Sequence, residues 1–220
     1  VLASGMDQGR TYVIQEYITG NYPDWQWFAT HLPILALCVQ RYHSDQPLNE
    51  LLSHSTTTRY HEHIAQDLAQ LEAQFSLLKA EALYTPDITT AFKELKGQVR
   101  RHQPVGIVPV HIDPNTHNML LTDEKVLLVD WDGIQLSDPM RDVGLLLWWY
   151  VPQHRWPDFF QSYGSSLDEA SIERIFWWAA RTSFAVALWH AEHGHECSHF
   201  LHDFLAALAK KDNPHAVFSS

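Results

Sequence analysis

With 220 residues, 45% of them hydrophobic and 19% charged, the chain has the makeup of an ordinary globular protein, not of a disordered or fibrous one. A formal net charge of −11 argues against a nucleic-acid partner, which exposed Lys and Arg would bind, and suits a cationic small molecule. Cys38 and Cys197 are too few for a disulfide framework, no segment has a signal-peptide layout, and the apolar run near Val143 to Pro152 falls short of the roughly 20 residues of a membrane helix, so a cytoplasmic, membrane-free protein of open oligomeric state is expected.

Val1 and Leu2, a turn-rich Ser4 to Gly9, and the β-prone Thr11-Tyr12-Val13-Ile14 predict a strand, a turn and a second strand. A lone hairpin is barely stable in water, so its sheet is expected to continue in residues outside this sequence, which has no initiator Met. From Asp24, a plausible N-cap, apolar residues recur through Trp27, Phe28, Leu32, Leu35 and Val39 and predict a helix kinked at Pro33. A long amphipathic helix is predicted from Thr57 to Ala80, with Ile64, Leu68, Leu71, Phe75 and Leu78 on one face, and another between Pro86 and Arg101.

The character then changes. Val105 to Val110 reads as a strand, His111 to Asn118 as a polar loop, and Met119-Leu120-Leu121 with Val126 to Val129 as a hairpin ending at Asp130. Asp138-Pro139 is a helix-start signal. Helices are predicted over Pro139 to Tyr150, Trp156 to Tyr163, Asp168 to His193 and Glu196 to Lys210, with Gly164 and Gly194 at C-caps. The fold class is α+β, mainly α. The aromatic runs Trp148-Trp149-Tyr150 and Trp177-Trp178 read as core by default, with one or two rings available to line a pocket for an ammonium group.

Two polar clusters border the short strands: His111-Ile112-Asp113-Pro114-Asn115-Thr116-His117-Asn118, and Val129-Asp130-Trp131-Asp132-Gly133. Phosphoryl transfer needs a carboxylate beside the attacking hydroxyl and hard oxygen ligands for the divalent metal that bridges the phosphates. An H-x-D-x-x-x-x-N loop supplies the first carboxylate and an amide ligand, and an Asp at the next strand end supplies another ligand. Both occur here in that order and spacing.

This segment resembles the aminoglycoside phosphotransferase and choline kinase superfamily, whose loop usually reads H-G-D-x-x-x-x-N, followed by I-D-W/F-D/E and a D-P-x-x-D-L helix start. Here the last element is Asp138-Pro139-Met140-Arg141-Asp142-Val143. The resemblance implies a protein-kinase-like carboxyl-terminal lobe that uses ATP and Mg²⁺ to phosphorylate a small-molecule hydroxyl, as on an aminoglycoside, choline or ethanolamine. It makes Asp113 the catalytic base, Asn118 and Asp130 metal ligands and Asp132 an accessory acid by the metal, with His111 and Asp142 supporting the loop. Tyr12 to Gly20 is similar to the family's last amino-lobe strand and hinge, which implies adenine contacts at Glu16, Tyr17 and Ile18 over a floor at Leu120. Tyr42-His43-Ser44 resembles the family's L-H-S helix end. The implied division is 1–20, hairpin and hinge, and 21–220, helical lobe.

Ile112 stands where Gly is usual, and His117 where Gly is common. No glycine-rich phosphate loop, strand lysine or paired helix glutamate precedes the hinge, so the expectation is a chain lacking most of the amino-terminal lobe, its activity alone in question. A catalytically inactive, pseudokinase-like binding module is the alternative. His195-Glu196-Cys197-Ser198-His199 also fits the H-E-x-x-H zinc protease signature, but Gly194 marks a helix boundary and no further Glu completes the site. Adventitious metal binding by His190, His193, His195, His199 and His202 is the better reading of these histidines.

Overall fold

In the computed structural model, residues 2–14, 16–55, 60–78, 81–99, 104, 106–122 and 125–214 are described. Val1, Thr57, Ala80, Arg101 and Val105, which bound predicted elements, lie outside them. The hairpin β1 (Ala3–Asp7) and β2 (Arg10–Ile14) pairs antiparallel, with Ala3 opposite Ile14 and Asp7 opposite Arg10. Ser4 to Met6 therefore belong to a strand, and the turn is only Gln8-Gly9, both at positive φ. The composition of Ser4 to Gly9 hid this, because cross-strand pairing outweighs weak β-propensity.

The single kinked helix expected from Asp24 is two helices, α1 (Trp25–Thr30) and α2 (Leu32–His43). Asp24 caps the first, accepting from the Trp27 nitrogen at 2.8 Å. Pro33 begins the second instead of kinking the first, since its missing N–H costs nothing in a first turn. An unpredicted helix, α3 (Gln46–Ser55), follows. Asp45 accepts from the Leu48 nitrogen at 2.9 Å and Pro47 sits in its first turn, the signal that was read at 138–139 and overlooked here.

Helices α4 (Tyr60–Leu77) and α5 (Pro86–Gln98) bury Ile64, Leu68, Leu71 and Phe75, and Ile88, Ala91, Phe92 and Leu95. The strands β3 (Val108–Val110), β4 (Met119–Leu121), β5 (Val126–Leu128) and β6 (Gln135–Ser137) form two small antiparallel ladders, β3 with β6 and β4 with β5. The three-residue β6 was not anticipated; such a length leaves no periodicity to read. The chain closes with α6 (Met140–Tyr150), α7 (Trp156–Tyr163), α8 (Glu169–Glu192) and α9 (Ser198–Leu208). Asp168 caps α8 through the Ser171 nitrogen at 2.7 Å, and Gly164 ends α7 in the left-handed region.

Helices α6 and α9 pack on α8, and α7 on α2, around one core. Phe184 of α8 meets Phe92 at 4.6 Å and Phe204 at 4.8 Å, pinning α5 and α9 to it. Trp148, Trp177 and Trp178 are core, as predicted, while Trp149 and Tyr150 are half-buried. At the start of α6, buried Asp138 accepts from Arg174 at 2.6 Å, Trp178 at 3.1 Å and the Met140 nitrogen at 2.9 Å. The helical body is thus fixed directly behind the two polar clusters. Among the described residues no helix is long and apolar enough to cross a membrane.

Candidate active site

The loop from β3 to β4 is held from behind by one carboxylate. Asp142, fully buried on α6, accepts from the backbone nitrogens of His111 at 2.7 Å and Ile112 at 2.8 Å. It also accepts from the Tyr42 hydroxyl at 2.7 Å and faces His43 Nε2 at 3.3 Å. Burial would push this carboxyl up. The hydrogen bond and charge of His43, the Tyr42 hydroxyl and the His111 nitrogen outweigh burial and hold it below the usual carboxylate range. His43 Nδ1 in turn meets the Tyr163 hydroxyl at 2.7 Å, so α2 and α7 share the anchor. The loop is therefore placed by α2, α6 and α7 together.

His111 is buried. Its Nε2 donates to the Val129 carbonyl at 2.8 Å, and its ring lies 4.5 Å from that of Trp131. One residue thereby ties the loop to the strand end that carries Asp130 and Asp132. The Val129 nitrogen donates to the Asn118 carbonyl at 2.9 Å, which closes the same junction from the other side.

At the loop's front, Asp113 is exposed, and Asn118 donates from Nδ2 to its backbone carbonyl at 2.9 Å and to its Oδ2 at 3.3 Å. Asn115 donates to Asp113 Oδ1 at 2.8 Å and accepts from the His117 nitrogen at 2.8 Å, capping the short turn Thr116–Asn118. Asp113 is thus oriented by two amides while facing solvent. Asn118 spends its NH₂ group on Asp113, and its side-chain oxygen is what it has left for a cation. Asp130 and Asp132 are exposed on the neighbouring strand end. Tyr150, stacked on Phe28 at 4.7 Å, has its hydroxyl pushed up by burial, drawn back by Thr116 and raised further by Asp113.

The donor set suits a divalent cation bound through hard oxygens, as Mg²⁺ is: one or two protein carboxylates complemented by phosphates and water. Among the described residues no three His, Cys, Asp or Glu gather into an all-protein cage. Asn118, Asp130 and Asp132 fit a site that nucleotide phosphates would complete.

The residues after the hinge run beside this loop. Asn21 exchanges two backbone hydrogen bonds with Leu121, at 3.0 and 2.7 Å, and the Tyr22 ring lies 5.3 Å from that of His117. Glu16, Tyr17 and Ile18 are exposed, and Leu120 is half-buried on β4 next to the Asn21 bridge.

Sequence reasoning missed Tyr42, His43 and Tyr163 as anchors of Asp142. The Tyr42-His43-Ser44 triplet was the available signal, but only the fold reveals its partner a hundred residues away. The zinc motif is not built. His195, Glu196 and Cys197 precede α9, so His195 and His199 do not share a helical face. Glu196 instead accepts from the Ser198 nitrogen at 2.6 Å and meets His199 at 3.3 Å, bonds that pull its carboxyl down to about 2.

A helical body carrying a clamped H-x-D-x-x-x-x-N loop and two short β-ladders is the carboxyl-terminal lobe of a protein-kinase-like protein. The family model described as the phosphotransferase enzyme family matches residues 3–175, and the chain belongs to that family. Its fold is shared by a choline/ethanolamine kinase family protein from Mesorhizobium loti (TM-score 0.65, 17% identity, 90% of this chain and 68% of that one). It is also shared by the choline kinase LicA from Streptococcus pneumoniae (0.67, 16%, 90% and 72%) and by aminoglycoside 2'-phosphotransferase-IIIa in complex with GDP (0.69, 14%, 94% and 74%).

Proposed function

We propose that this chain carries the catalytic machinery of an ATP- and Mg²⁺-dependent phosphotransferase whose acceptor is the hydroxyl of a small, cationic molecule such as choline, ethanolamine or an aminoglycoside. The observation that carries the reading is the Asp113–Asn118 pair, an exposed carboxylate held by amides on a loop whose backbone is fixed by a buried one. Asp113 orients the acceptor hydroxyl and takes its proton. Asn118 and Asp130 offer oxygens to the metal, with Asp132 as accessory acid. When bound, the magnesium–nucleotide complex supplies the transferable phosphoryl group and neutralises its charge. Glu16 to Ile18 would meet adenine through their backbone, above Leu120, so that residues up to 20 act as hairpin and hinge and residues from 21 as the lobe. His111 and Asp142 hold the loop and move no proton. The acidity of the chain and the choline kinase and aminoglycoside phosphotransferase folds it shares support a cationic acceptor.

The test is phosphate transfer from ATP to a panel of choline, ethanolamine and aminoglycosides, with Asp113→Asn as the diagnostic variant. Loss of turnover by about 10²–10⁴-fold at unchanged thermal stability is expected, the usual range for a general base. Turnover unchanged in the variant overturns the assignment of the base. A chain that neither transfers phosphate nor gains stability from Mg²⁺–ATP is instead a non-catalytic binding module.

A further inference from the structure

The usual glycine of the loop is replaced by Ile112, and the backbone has kept the glycine conformation: φ at Ile112 is +73°. For a β-branched residue this is a genuine outlier, costing about 1–2 kcal/mol against the right-handed alternative. Such strain persists only where the surroundings impose it. Here they do so on the backbone, because the Ile112 nitrogen is bonded to Asp142. A glycine would meet that demand without strain, so the side chain needs its own explanation.

That explanation lies on the other loop. A Cβ added to Gly133 would sit 2.2 Å from Ile112 Cδ1 and 2.5 Å from Cγ1. Cγ1 can move away only by turning χ1, which is stiff in a β-branched residue. The isoleucine therefore occupies the space that the glycine leaves, directly after Asp130-Trp131-Asp132. Asp130 is itself left-handed, at φ +63°. Two strained residues, one on each loop, flank a single shape-matched contact.

We propose that Ile112 is a positioning residue: seated on Gly133, it sets the acidic strand end 130–132 against the loop that carries Asp113. This rests on the metal-binding role proposed for Asp130. The latch replaces backbone flexibility with a packed contact between the loop of the base and the loop of the metal ligands.

The experiment uses the full chain and the variants I112G, I112V, G133A and I112G/G133A, all below their unfolding midpoints. Mn²⁺ binding in the presence of ADP is read by electron paramagnetic resonance, and ADP binding without metal by calorimetry. I112G and G133A should each weaken Mn²⁺ about tenfold while leaving metal-free ADP affinity unchanged, and I112V should retain wild-type affinity. G133A should add nothing in the I112G background, where no side chain remains to clash. Unchanged Mn²⁺ affinity in I112G, or equal loss of ADP affinity, overturns the proposal. Hydrogen exchange of amides 129–134 without ligand separates the latch from the metal reading. If the wild type binds no Mn²⁺ with ADP, the proposed function fails. In that case, faster exchange in I112G and G133A with no additivity still establishes the latch, and unchanged exchange refutes it.

Discussion

The carboxylate of Asp142 lies 2.7 Å from the backbone nitrogen of His111, so a buried charge on one helix fixes the first residue of the loop that presents Asp113. Four donors converge on that carboxylate: two backbone amides, the Tyr42 hydroxyl and the His43 ring. Asp142→Asn would keep the shape but turn an NH₂ group toward donors. A loss of about 3–5 kcal/mol is expected, as for other broken buried networks, and urea unfolding measures it. The folded carboxyl is held below its ordinary value near 3.8. Its contribution is therefore complete above that value and disappears as pH falls through the lower folded one. The wild type should lose stability across that acid window more steeply than Asp142→Asn. Parallel profiles for the two proteins would refute the role.

Arg174 and Asp138 give a second buried test. Arg174→Met strands a carboxylate that then keeps only Trp178 and the Met140 nitrogen. Breaking one side of such a pair costs about 3–5 kcal/mol. The double change Asp138→Asn with Arg174→Met should recover part of this, because no unpaired charge remains. Additive losses in a double-mutant cycle would show that the two side chains act independently.

Two helical glycines should respond oppositely to alanine. A Cβ on Gly144 would lie 2.9 Å from the Ile175 carbonyl and 3.4 Å from Trp178 Cβ, where α6 crosses α8. Backbone cannot step aside cheaply, so Gly144→Ala should destabilise by about 1–3 kcal/mol, outweighing the gain in helix propensity. Gly97 on α5 meets nothing within 4 Å, and Gly97→Ala should gain up to about 1 kcal/mol. Thermal melts of the two variants decide both signs.

Long amphipathic faces and capping signals made most of the helices readable, because Ile64, Leu68, Leu71 and Phe75 recur at helical spacing and Asp24 and Asp168 cap in the expected way. What was illegible depends on distant pairing. The β6 strand exists because Val108 to Val110 needed a partner, and Ser4 to Met6 became a strand because residues 11–14 returned beside them. The site shows the same division. Asp113, Asn118 and Asp130 are readable from spacing along the chain, whereas the convergence of Tyr42, His43 and Tyr163 on Asp142 requires three helices to meet. The H-E-x-x-H match failed for a local reason: a helix boundary at Ser198 separates its two histidines. Exhaustive dialysis should accordingly leave less than stoichiometric zinc, and EDTA should not shift the melting temperature.

Asp130 allows side chain and backbone to be tested apart. Its φ of +63° is one that glycine adopts freely, and its carboxylate is exposed. Asp130→Gly therefore removes the oxygens without disturbing the turn, and thermal stability should be unchanged or higher by up to about 1 kcal/mol as strain is released. Asp130→Val keeps the carboxylate absent but adds a β-branched side chain, and should melt lower than the glycine variant. Both should lose the stabilisation that Mg²⁺ adds to ADP, because that depends on the carboxylate alone. If Asp130→Gly retains this magnesium-dependent shift, Asp130 is a turn residue and the metal is held elsewhere. If it melts well below wild type, the carboxylate is structural, and any loss of binding by the variant cannot be read as loss of a ligand.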